Sequence, residues 1–119
     1  MQEVASWERP FQVWQYSVSH ATLLLRSVDP QYDTRIDVRF PAVSLMHLQP
    51  DYDSLTIHKI TEEEGIALLG ESAVGRATHG TLYLLNQGLG YVRSAPCRWH
   101  EDRGDHKTPS AFGPLRGTD

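Results

Sequence analysis

The stretch CRWHEDRGDH, residues 97–106, places the chain's one cysteine and two of its six histidines among three acids and two arginines. Cys97, His100 and His106 are competent ligands for zinc or another transition metal. Glu101, Asp102 and Asp105 could bind beside them or orient them. A metal-activated water would then be the nucleophile and an acid the general base, the chemistry of a small metal-dependent enzyme. The spacing argues less for this than the composition does. Cys-x2-His gathers ligands on a turn, whereas residues three apart on a strand face opposite sides. No second Cys or His pair completes a set of four. The competing expectation, which we prefer, is a small buried Cys97 at a strand end with a polar loop after it, and no cofactor.

Arg26, Arg35 and Arg39 form a second constellation. The two strands that carry them are joined through VDPQYD, so the three guanidinium groups can share one sheet face. Like charges opposite one another in a sheet repel unless something negative intervenes. An anionic ligand could do so, which would make this an anion-binding domain. Asp37 could also do so, leaving an ordinary solvated polar face, and that is the simpler expectation.

His47 and His58 lie on strand-like segments joined by QPDYD. If those segments form a hairpin with Leu48 opposite Ser54, the two imidazoles face opposite sides. A one-residue slip would make them diagonal neighbours on one face. The apolar alternation of Leu45, Leu55 and Ile57 favours the first register and two independent histidines.

Other catalytic patterns fail on inspection. GESAVG (70–75) lacks the final glycine of a nucleophile elbow and follows a helix rather than a strand. DYDSLTIHKITE has acids at calcium-loop positions, but Leu55 and Thr56 stand where a ligand and a glycine are required. No phosphate-cradling glycine loop is present. Phe11, Trp14 and Tyr16 give a milder signal. They cluster in the first strong strand with apolar residues on both faces, so one face could meet the core and the other a partner.

The elements that must position these residues are mostly strands. TRIDVRF (34–40) alternates Ile36, Val38 and Phe40 with Arg35, Asp37 and Arg39, the period of a half-buried strand. FQVWQYSV, ATLLLRSV, AVSLMHL and SLTIHKI are further β-rich runs. TLYLLN and YVRSAPCRW form a hairpin around QGLG. The period changes once, at Thr61. A threonine three residues before Glu64, with three acids in the first turn, predicts a capped helix near residues 62–69. Gly65 inside it costs up to about 1 kcal/mol against alanine.

The expected fold is mainly β, α+β at the margin. It is a curled antiparallel sheet, sandwich or partial barrel of roughly six to seven strands with one short helix. Residues 1–102 read as one domain with 1–10 as a lead-in arm, and 103–119 as a polar, disordered or draped tail.

With 119 residues and a net charge of −4, the chain is neither basic enough for a nucleic-acid binder nor apolar enough for a membrane span. One cysteine and no secretory pattern fit a cytoplasmic protein. The functional expectation is a non-catalytic binding or protein-interaction domain, self-associating or taking a protein partner. The metal-dependent enzyme and the anion-binding domain are the alternatives.

Overall fold

The computed structural model describes residues 1–29, 31–75 and 79–103. Among them the chain forms β1 (Gln2–Trp7), β2 (Phe11–Ser17), β3 (Thr22–Ser27), β4 (Arg35–Phe40), β5 (Leu45–His47), β6 (Asp51–Tyr52) and β7 (Leu55–Ile60). The helices α1 (Glu62–Leu69) and α2 (Glu71–Val74) follow, then β8 (Thr81–Leu85), β9 (Gly90–Ser94) and β10 (Arg98–Asp102).

The strands make two antiparallel five-stranded sheets, in the orders β1-β7-β8-β9-β5 and β10-β4-β3-β2-β6. The fold is mainly β, and the sheets do not close into a barrel. Three strands exceed the six to seven expected. The lead-in arm supplies β1, the QPDYD turn contains β6, and YVRSAPCRW breaks at Ala95–Pro96 into β9 and β10, which lie in different sheets. Pro96 has no N–H for a ladder, so a break there costs little.

The inward faces meet in one core. Phe11, Leu23, Leu25, Ile36, Val38 and Phe40 from the second sheet pack on Leu55, Ile57, Tyr83, Leu85 and Val92 from the first. Each such side chain contributes about 1.5–3 kcal/mol when fully buried. The Phe40 and Tyr83 rings meet edge to face at 5.7 Å, tying β4 to β8 across the sandwich. A bulge at Trp14 shifts the phase of β2, since Val13 opposes Leu25 and Gln15 opposes Leu24. Phe11, Val13 and Tyr16 thereby turn inward, and Trp14 and Gln15 turn outward.

A second, smaller core lies on the outer face of the first sheet, where Val74 and Leu69 cover Ile60, Leu82 and Leu84. Thr61 and Glu64 close the expected capping box at the start of α1, with bonds of 3.1 and 3.0 Å. Gly65 now has a packing reason. A Cβ there would lie 2.5 Å from Leu82 Cδ2 and 3.3 Å from Val74 Cγ2, so a larger residue would force the buried Leu82 side chain to shift. Arg93 fixes the same helix electrostatically, its Nη2 donating to Glu62 at 3.1 Å.

Candidate functional site

Arg35, Asp37 and Arg39 alternate with the core residues of β4, and therefore stand on the outer face of the second sheet. Arg26 is opposite Asp37 in the β3–β4 register and binds it through two bonds, Nε to Oδ1 at 2.7 Å and Nη2 to Oδ2 at 3.1 Å. Arg35 Nε lies 4.0 Å from the same carboxylate and donates to Asp102 at 3.1 Å, with its Nη2 at 2.8 Å. The Trp14 ring covers Arg26 from the other side, 4.8 Å from guanidinium carbon to centroid.

Asp37 therefore does stand between the arginines, as its position in the alternation suggested. The face is not a solvated one, however: Arg26, Arg35 and Asp37 are 3 %, 1 % and 1 % exposed. Alternation tells which side a residue is on, whereas coverage of that side depends on distant parts of the chain. Arg26 and Arg35 are committed to carboxylates, so the three arginines do not form an open anion site. Arg39 lies directly opposite exposed Arg98 of β10.

The aromatic trio is split by the bulge. Phe11 is fully buried in the core, and Tyr16 packs against it half-buried. Trp14, 36 % exposed, reaches the outside furthest.

The candidate metal ligands Cys97 and His100 also part. Cys97 packs against the inter-sheet core, and its backbone N–H donates to the Tyr83 hydroxyl at 3.1 Å. Burial pushes its thiol from 9.0 up to about 12, the condition of an inert structural cysteine. His100 is opposite Asp37 on the outer face and exposed, while His106 lies outside the described residues. Among the described residues no group of three His, Cys, Asp or Glu side chains could hold a metal ion.

His47 and His58 do not sit on neighbouring strands. β5 closes the far edge of the first sheet, with β8 and β9 between it and β7. The register instead runs Glu3, His58, Leu84, Tyr91, His47 straight across that sheet. His47 stacks on Tyr91 at 5.1 Å. A local hairpin was the wrong inference because QPDYD crosses between sheets by way of β6, which pairs with β2.

Edges distinguish this sandwich more than its faces do. Four strands have one side without a strand partner among the described residues: β1, β5, β6 and β10. Proteins blunt such edges by shortening or bulging them. β5 has three residues and β6 two, and β1 carries an irregularity between Glu3 and Ala5. β10 is neither short nor bulged, and charged side chains are its guard. Its five residues pair in unbroken register with β4, and Arg98 through Glu101 are all exposed.

β10 is also held rigidly from behind. Asp102 is clamped by Arg35, Glu101 accepts from the Thr34 hydroxyl at 2.5 Å, and Trp99 meets Trp7 of β1 edge to face at 5.7 Å. Arg9 braces the adjoining turn, stacking on Tyr32 at 4.2 Å and donating to Ser27 and Thr34. Arg9 was missed because nothing local to it signals the β3–β4 turn it binds. Trp99 remains 43 % exposed despite its partner. A pre-ordered, regular edge with an aromatic anchor can accept an extended chain at little ordering cost.

No family model, no curated protein and no solved structure matches this chain, so the edge and its chemistry are the basis for a functional reading.

Proposed function

We propose that this protein is a non-catalytic interaction domain that takes an extended strand onto the edge of β10 that carries no strand among the described residues. The observation that carries this is the contrast among the four edges: β10 alone is regular, five residues long and exposed along four of them. Backbone amides and carbonyls of an added strand would supply affinity. The half-exposed Trp99 and the polar side chains of Arg98, His100 and Glu101 would supply specificity. The buried ladder of Arg26, Asp37, Arg35 and Asp102 serves this role as a brace, fixing β10 against the sheet.

The test is selection from a displayed library of short extended peptides on the full chain, followed by affinity measurement on Trp99→Ala. Selected peptides should bind the wild type and lose at least about tenfold on the variant, the effect of removing an aromatic anchor. Failure to select any binder, or peptides that bind both forms equally, would overturn the proposal.

A further inference from the structure

From the charge order along β10 we infer that the strand it accepts is β10 of a second copy of this chain, antiparallel and centred on His100. This rests on the reading of β10 as the interaction edge and names its partner. In a two-fold antiparallel pair, the central residue faces its own copy, and side chains on one face stay on that face. Three centres keep most of the strand paired. Centring on Glu101 sets two carboxylates directly opposite, which is unfavourable. Centring on Trp99 brings Pro96, with no N–H to donate, opposite Asp102.

Centring on His100 pairs all five residues from Arg98 to Asp102. Arg98 of each chain then faces Asp102 of the other, two opposite-charge pairs on the outer face. Within one chain Arg98 already lies opposite Arg39, a like-charge pair, and the second chain's carboxylate arrives on its other side. On the inner face, Trp99 of each chain faces Glu101 of the other. The two Trp99 residues become diagonal neighbours, about 7–8 Å apart at Cα. Their exposed ring edges are covered together. The product is one continuous ten-stranded sheet, five strands from each copy.

The register is read by cysteine scanning on the full chain under mild oxidation. Directly opposite residues have Cα atoms about 4.5–5.5 Å apart, within disulfide reach, whereas diagonal ones lie at or beyond its limit. His100→Cys should cross-link to its own copy, and Trp99→Cys should not. The wild type is the control, since its sole thiol, Cys97, is half-buried against the core and raised to about 12 by that burial.

Sedimentation equilibrium on Arg98→Asp supplies an independent reading, because Arg98 is exposed and its replacement spares the core. Reversing that charge should weaken dimerisation at least about tenfold. Cross-linking of Trp99→Cys in place of His100→Cys would overturn the register. A wild type that stays monomeric at all concentrations would overturn self-pairing. If that monomer still binds selected peptides through Trp99, the edge reading survives; if it binds none, both fall.

Discussion

Asp37 is held between two buried guanidinium groups, bonded to Arg26 at 2.7 Å and lying 4.0 Å from Arg35. All three side chains are almost fully withdrawn from water. Removing the acid takes the bidentate carboxylate from buried Arg26, where hydration cannot replace it, while Arg35 keeps Asp102. Asp37→Ala should therefore cost about 3–5 kcal/mol, as breaking buried ion pairs does. Chemical denaturation would show this as a lower midpoint with an unchanged slope. Arg26→Met combined with Asp37→Leu should cost less than Asp37→Ala alone, because no charge is left without a partner.

Gly90 and Tyr52 form a second tight pair. The Tyr52 hydroxyl donates to Leu89 O at 3.2 Å and accepts from the Gln49 amide at 2.9 Å, so it joins β6 to the start of β9 across the sandwich. A Cβ at Gly90 would collide with that hydroxyl and lie 3.2 Å from the His47 carbonyl oxygen. Gly90→Ala should lower stability by about 1–3 kcal/mol, the usual cost of overpacking. Tyr52→Phe vacates the space but strands the Gln49 and Leu89 groups. The two changes together should therefore cost less than the sum of each alone, which a double-mutant cycle on thermal unfolding measures.

Alkaline pH should unfold this protein through Cys97 and Tyr52. Burial raises the Cys97 thiol to about 12, and burial raises Tyr52 against the opposing bond from Gln49. Both groups are neutral when protonated, so above about pH 9 the unfolded chain holds fewer protons than the native one. Stability is then fully present below pH 9 and declines as pH rises towards 12. Denaturation midpoints measured from pH 7 upward should be flat and then fall. The same burial predicts slow alkylation of Cys97 in the native protein and rapid alkylation in denaturant.

The helix cap offers a quieter check. Thr61→Ala removes the hydroxyl that accepts from the Glu64 amide and should cost about 1 kcal/mol. Gly65→Ala should also destabilise, although alanine is the better helix former, because of the contact with Leu82.

Local chemistry was readable wherever neighbours in sequence decide it. The alternation of Ile36, Val38 and Phe40 marked β4, and Thr61 with Glu64 marked α1 to the residue. Long-range pairing was not readable. Residues 2–7 carry too weak an alternation to reveal β1, and its place beside β7 follows from register with Leu55 through Lys59. The bulge that turns Tyr16 inward with Phe11 depends on β3, not on β2's own sequence. Cys97, His100 and their acids looked like one cluster because they are consecutive. The break at Pro96 and the two faces of β10 divide them between core and surface. The edge itself was hidden, since only the sheet order shows that β10 has β4 on one side and, among the described residues, no strand on the other.

Backbone amide exchange, measured along the whole chain in dilute and concentrated solution, tests the role of β10 most directly. Exchange should slow with concentration within Arg98–Asp102 and nowhere else in the two sheets, as the free edge gains partners. Exchange in β10 that is indifferent to concentration, or protection that appears on β1 or β5 instead, would contradict the assignment.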